Sequence, residues 1–586
     1  MRREGVNVIA SCWQRDVRQI CRCHPECLKN RATRTNSPCL CGADAPVTAG
    51  VAGMSHPRFR AYPVKGPRTE AGAALLAFLL VLLIGGSYAL LRDAKSLAQR
   101  AKLEESLKTS AALAEAKAAL IGYAVSRQID PNCTAPGNNC PRPGDLPCPD
   151  LTNDGDADNV PICGRHDGRG AGGQSRQLGR LPWKDLRLPD LRDGAGERLW
   201  YAVSTNFKVN ARSRCTTPSR AGCLNSDSSG TITVKNQDGS YRHDGRNDAD
   251  GYTKHGAVAV VIAAGSPLRR VGYGEQDRSC TSTCDPRDFL EVGIGEDNAD
   301  FEDRDTDGDG DGDGSSNGFI QGDVLDNGAI ILNDRLLPIT YRDLVPLLEK
   351  RVVGEALSCV RAYAGAHGGR VPWAASVEDV SCPPSPPNAA DNCYSDDYSP
   401  GLGREADRFG RLADRPFNQT SNDASDMSNS WLPGCLLRQT SGISARWWRN
   451  WKELVFYGLA EGYRPQPLPL PTDPPGPCAD PPDVCLTVNS QPSQQVVVIA
   501  SGKRLPAIAE VPDPLALPQP PPSAPYDQDR STSPQKTAIR NYLEGDNATP
   551  DGPLPPPPPP LPPYRSFVSG PATGTFNDFV GYLPRP

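Results

Sequence analysis

A run of 21 residues without a charge, Ala71 to Leu91 (AGAALLAFLLVLLIGGSYALL), constrains this chain more than any other stretch of it. A bilayer core of ~30 Å needs about 20 helical residues, so the run predicts a single-pass transmembrane helix. A cleaved secretory signal is the competing reading, but its apolar region usually covers only ~7–15 residues. Lys65 and Arg68 precede the run, with Arg58 and Arg60 further back, whereas the flank after it mixes Arg92, Asp93, Lys95, Arg100, Glu104 and Glu105. The positive-inside bias therefore predicts a cytoplasmic N-terminus, with the large C-terminal part periplasmic or extracellular.

From Arg92 to Arg127 there is no proline, and Ala, Leu, Lys and Glu dominate. These are strong helix formers. Leu97, Leu103, Leu107, Leu113, Ala116, Leu120 and Ala124 recur as a stripe compatible with one buried face. The span is thus expected to continue as one helix of ~55 residues, about 80 Å long, whose second half packs on a globular head. A coiled-coil stalk is the bland alternative, but the heptad is not sustained.

The 20 cysteines support the same orientation. Six precede the apolar run (Cys12, Cys21, Cys23, Cys27, Cys39, Cys41) and fourteen follow it, scattered through loops rich in the chain's 56 Gly and 60 Pro. An even set in such loops reads as disulfides in an oxidising compartment. Cys280-x3-Cys284 is the tightest downstream pair and lacks the companion pair or His cluster that zinc would need. Met54 opens a short basic segment leading into the run, so residues 1–53 are expected to be untranslated or disordered. The competing reading is a cytosolic metal site at Cys21, Cys23, His24 and Cys27. A formal net charge of −6 gives no electrostatic footprint for nucleic acid.

Beyond the helix the chain repeats itself. Ala119–Val125 is echoed by Ala356–Tyr363, and Leu146–Asp150 by Val380–Pro384. Leu199–Val203 is echoed by Val455–Leu459, and Val258–Ser266 by Gln495–Gly502, aligned on Gly265 and Gly502. Asp288–Glu291 with Glu296–Asn298 matches Asn541–Asn547, and Asn333–Pro338 matches Asn577–Tyr582. Six elements in one order at offsets of 234 to 256 indicate duplicated domains, not a solenoid. The apolar β-branched run ending at a glycine in each copy reads as a buried central strand. The expected fold is α+β: a long N-terminal transmembrane helix continuing into two tandem helix-on-antiparallel-sheet heads with disulfide-bearing loops. The expected boundaries are 54–70 for the cytoplasmic basic segment, 71–91 for the span and 92–127 for the helix extension. The first head takes 128–342, and a diverged second copy with Pro-rich insertions takes 343–586. The insertions at 464–480, 512–523 and Pro555–Pro560 favour polyproline II and read as exposed spacers.

An apolar helix continuing as an amphipathic helix into an α+β head resembles type IV pilins and type II secretion pseudopilins. The blocks Ala119–Val125, Leu146–Asp150, Leu181-Pro182-Trp183, Leu199–Val203, Val260–Gly265, Asp288–Asn298 and Asn333–Leu337 are similar to those of poorly characterised bacterial pilin-like proteins. The resemblance covers roughly 71–585. It implies a non-enzymatic structural or assembly component, a minor pilin or pseudopilin, anchored in the inner membrane. Its partners would be other pilin-like subunits, the pilus or secretion machinery and the lipid bilayer, with no nucleic acid. Family prepilins are cut after a Gly, with an aromatic next and a Glu fifth. Here cleavage after Gly72 would place Ala77 fifth, and cleavage after Gly66 would place Glu70 fourth. The departure points to an atypical minor component rather than a bulk subunit. A membrane-tethered periplasmic or surface adhesin is the alternative, and a periplasmic hydrolase a more distant one.

Asp303, Asp305, Asp307, Asp309, Asp311 and Asp313 alternate with small residues in an oxygen-rich cluster suited to Ca2+, with a solvated acidic loop as the bland reading. The EF-hand register fails, because position twelve is Gly314 or Ser316 rather than Glu. A smaller echo stands at Asp154, Asp156 and Asp158. No catalytic constellation is legible: His166, His243, His255 and His367 are separated, and nucleophile-elbow and P-loop patterns are missing. Trp447, Trp448 and Trp451 read as core rather than as a ligand platform.

Overall fold

The computed structural model describes residues 71–128, 142–158, 178–208, 223–245, 256–280, 284–301, 318–375, 408–413, 431–438, 446–465, 485–505, 528, 530, 539–548, 566–573 and 576–584. The chain divides into two units, Met1–Gly86 and Ser87–Pro586. It is sheet-rich, with three α-helices among the described residues: α1 (Ala71–Ser126), α2 (Tyr341–Ala366) and the single turn α3 (Arg446–Arg449).

The transmembrane helix expected over 71–91 is not seen, and the fold expectation built on it is corrected. Among the described residues no helix is long and apolar enough to cross a membrane. The run belongs to one helix, Ala71–Ser126, that carries Arg100, Lys102, Glu104, Glu105 and Lys108 further on.

Within Ser87–Pro586, the second half of α1 supplies one wall of the core. Ala112, Leu113, Ala116, Leu120 and Ala124 are buried, whereas Leu97, Leu103 and Leu107 are about 60% exposed. The helix-facing sheet is antiparallel and four-stranded, in the order Leu178–Arg180, Trp200–Val203, Ala259–Ala263, Arg335–Ile339. Its faces alternate as strand geometry demands. Tyr201, Val203 and Val261 join the α1 core, and Trp200, Val260 and Ile262 join a second cluster with Phe289, Phe301 and Phe319. Burial on both faces explains the continuous apolar run at 258–264.

The same strand order returns in the second lobe as Phe409–Arg411, Val455–Leu459, Gln491–Ala500, Phe579–Pro584, with α2 against it. Gln491–Ala500 also pairs with Leu486–Val488, which takes Ser566–Phe567 as a parallel neighbour. The expectation of purely antiparallel sheets is therefore also corrected, as Phe319–Ile320 likewise pairs in parallel with Val234–Lys235.

Two of the expected correspondences fall elsewhere. Gly144 N–H donates to Ala124 O, and Gly369 N–H donates to Ala364 O, so Tyr123-Ala124 of α1 matches Tyr363-Ala364 of α2. Leu146–Asp150 matches Val371–Ala375: Asp150 and Ala375 exchange paired backbone bonds with Arg180 and Arg411, respectively, and the Tyr201 and Tyr457 hydroxyls donate to Pro147 O and Pro372 O. Val380–Pro384 lies outside the described residues. Trp447, Trp448 and Trp451 are all buried in a core that is continuous across both lobes.

Candidate functional site: a buried carboxyl pair built twice

The chain turns sharply at Gly265, just after the central strand of the first lobe, with φ +63°. That turn brings three separate segments under the sheet end. One carries Gln276 and Arg278, the second Glu291 and Asn298, and the third Asn333 and Asp334, which lead into the edge strand. Glu291 Oε1 accepts from Gln276 Nε2 at 2.9 Å, and Glu291 Oε2 accepts from Asn333 N at 3.1 Å. Asp334 Oδ2 accepts from Glu291 N at 3.0 Å and from Asn298 Nδ2 at 2.8 Å. Asn298 also clips Ile320 through both its amide atoms. Arg278 bridges the Gly265, Phe289 and Gln276 oxygens, and its Nη2 lies 3.9 Å from Glu291.

Every one of these contacts recurs in the second lobe apart from that last approach. Glu544 accepts from Gln528 Nε2 at 2.7 Å and from Asn577 N at 3.0 Å. Asp578 Oδ2 accepts from Glu544 N at 3.1 Å and from Asn547 Nδ2 at 3.0 Å. Asn547 clips Val568, and Arg530 bridges Gly502 O, Tyr542 O and Gln528 Oε1. Beside each pair an arginine lies between two aromatic rings: Arg180 between Trp200 and Phe289, and Arg411 between Phe456 and Tyr542.

Burial dominates the electrostatics here, because it penalises the charged form of any group. It pushes the Glu291 carboxyl up to about 7 and Asp334 well above its ordinary value, with the neighbouring Glu291 charge adding to the latter. Glu544 and Asp578 are raised for the same reasons. Burial likewise lowers the Arg180 guanidinium to about 9. Glu291, Asp334, Asn298 and Asp578 are all buried, so no substrate reaches them as the protein stands.

The expected cation ligands Asp303, Asp305, Asp307, Asp309, Asp311 and Asp313 lie outside the described residues. Their smaller echo is described and is occupied internally. Asp158 Oδ2 accepts from the backbone N–H of Leu151 and Thr152, Asp154 Oδ1 from Asp156 N–H, and Asp156 pairs with Lys184 at 2.9 Å. Among the described residues no group of three or more His, Cys, Asp or Glu side chains is placed to hold a metal. His243 stands in the Tyr241–His243 strand and His367 stacks on Tyr363, so the two are not brought together; His166 and His255 lie outside the described residues. The Cys280–Cys284 pair is a disulfide, as is Cys359–Cys435, and Cys148, Cys223 and Cys485 are also disulfide-bonded.

Sequence reasoning aligned Glu291 with Glu544 and Asp334 with Asp578 but assigned them no role, and it missed Gln276, Arg278, Gln528 and Arg530. A signal for these was present: the tetrapeptide Gln-Asp-Arg-Ser stands at 276–279 and again at 528–531. No protein-family model, no curated protein and no solved structure matches the chain.

Proposed function

We propose that this chain is a non-enzymatic structural subunit that assembles with other pilin-like chains in a pilus- or pseudopilus-like apparatus, its two lobes on the oxidising side. The observation that carries this reading is the division of α1 into two halves. From Ala112 onward it is embedded in the head, while Leu97, Leu103 and Leu107 stand exposed on the half that leaves it. Three exposed leucines along one stretch of helix make apolar surface that a second helix can cover. Two further features agree. All seven cysteines among the described residues are disulfide-bonded, as in proteins of oxidising compartments. Among the described residues, the two buried carboxyl pairs are engaged in holding loops together.

In vivo cross-linking followed by mass spectrometry is the test. The wild-type chain is expected to recover pilin-like subunits. A Leu103→Asp/Leu107→Asp variant is expected to lose them while keeping the head's melting temperature. Recovery of no pilin-like subunit by the wild-type chain would sink the proposal.

A further inference from the structure

The two carboxyl pairs share an asymmetry. Of the four oxygens in the first pair, three accept an N–H: both Glu291 oxygens and Asp334 Oδ2. The fourth, Asp334 Oδ1, is buried and has no hydrogen-bond partner. In the second lobe the odd atom is again the aspartate's: Asp578 Oδ1 is buried and unpartnered, while Glu544 and Asp578 Oδ2 are satisfied. A carboxylate oxygen taken out of water without a donor is strongly disfavoured in its charged form. One such atom could be a local accident; the same atom in both lobes is not.

We infer that each lobe holds one proton on its aspartate, at Asp334 Oδ1 and Asp578 Oδ1, shared with the facing glutamate carboxyl, and that these protons keep the Asn-bearing loops closed on the sheets. The oxygen without a donor is then itself a hydroxyl donor, and the glutamate carboxyl, within side-chain hydrogen-bond reach of the aspartate in both lobes, is its acceptor; Asp193, whose Oδ2 accepts from Gly265 N, is the other carboxyl on the Arg278 side. The direction of the shifts agrees: burial and the neighbouring glutamate raise both aspartates. The groups facing the first pair are Arg278, Gln276, Asn298 and Asn333, with Glu197 3.8 Å from Arg278 on its outer side. Those facing the second are Arg530, Gln528, Asn547 and Asn577, and there the outer side of Arg530 is taken by Asp227 of the first lobe at 2.8 Å. Loss of the proton would leave two carboxylates competing for one arginine. In the second lobe it would draw Arg530 away from the joint between the lobes.

The test uses the full-length chain. In Asp334→Asn/Asp578→Asn an amide N–H2 replaces the hydroxyl and the remaining oxygen still accepts from Glu and Asn, so the variant mimics the protonated pair at every pH. The wild type is expected to lose several degrees of melting temperature between pH 6 and 9, and the variant markedly less. The wild-type-minus-variant infrared difference spectrum at pH 7 should show a protonated-carboxyl stretch beyond the one that the buried Glu349 carboxyl contributes to both proteins. Equal pH dependence in both proteins, or no such difference band, overturns the inference. So does stabilisation of the wild type, and not of the variant, by added Na+ or Ca2+, which would put a cation where the proton is assigned. Should the double variant fail to fold, the same difference spectrum taken with Asp334→Asn alone and with Asp578→Asn alone decides.

Discussion

Gly265 shows how narrow the tolerance is at single positions. Its φ of +63° suits a residue without a side chain, and a Cβ there would meet Asn333 Oδ1 at 2.9 Å. Left-handed backbone costs an alanine about 1–2 kcal/mol before that contact is counted. Gly265→Ala is expected to lower unfolding free energy by about 1–3 kcal/mol, read from denaturant midpoints, and an unchanged midpoint would contradict the packing described. The glycine was legible because it closes an apolar run. The functions of Glu291 and Asp334 were not, since their donors come from segments tens of residues away and a sequence shows only that a carboxylate is present. Arg180 was equally opaque: nothing in Leu-Gly-Arg announces a guanidinium buried between Trp200 and Phe289.

Among the elements, α1 yields the sharpest contrast. Leu120 is fully buried and Leu103 is 60% exposed. Leu120→Ala should cost about 2–5 kcal/mol, whereas Leu103→Ala should stay within about 0.5 kcal/mol. Equal effects in thermal unfolding would show that the helix does not divide its faces in this way. The disulfides differ similarly. Cys359–Cys435 closes a separation of 76 residues and ties α2 to the 431–438 segment, while Cys280–Cys284 closes only four. Chain entropy assigns the long closure about 4 kcal/mol and the short one about 2. Cys359→Ala/Cys435→Ala is therefore expected to shift the midpoint roughly twice as far as Cys280→Ala/Cys284→Ala. Strand pairing was readable wherever both copies kept an apolar run, as at 199–203 and 455–459. It was misread at 146–150, where the true counterpart, Val371–Ala375, keeps only the Pro and a Cys-Pro dipeptide elsewhere looked more alike. The apolar run at 71–91 was read as a span because local hydropathy is all that a sequence window reports.

At the scale of the whole molecule, one core runs through both lobes and polar bonds cross the joint. Lys117 reaches Asp343, Asn450 accepts from Arg142 and Leu224, and Lys503 donates to Ser229. A single cooperative calorimetric transition is expected for the lobes, and two resolved transitions would refute the shared core. Stability should also fall as pH rises. Burial raises Glu349, on α2 at the joint, to about 8, and Glu291 to about 7, from an ordinary 4.5. Groups raised in the folded chain contribute fully below 4.5 and lose that contribution as pH climbs through about 7 and 8. Melting temperature should therefore be lower at pH 9 than at pH 6, and Glu349→Gln should flatten the upper part of the decline.

The strand Phe579–Pro584 has a consequence for timing. It pairs along 494–500, and Asn577 and Asp578, just before it, complete the second carboxyl pair. It follows every other strand of the lobe in chain order. Until it emerges, the 491–500 strand waits with one edge bare, the shared core stays open, and the first lobe's 224–229 loop lacks its finished partner surface. The second lobe therefore cannot mature in step with synthesis. The nascent chain needs protection from edge-to-edge pairing until residues 579–584 have emerged, and a chain released before residue 579 would keep that edge bare and be a substrate for proteolysis.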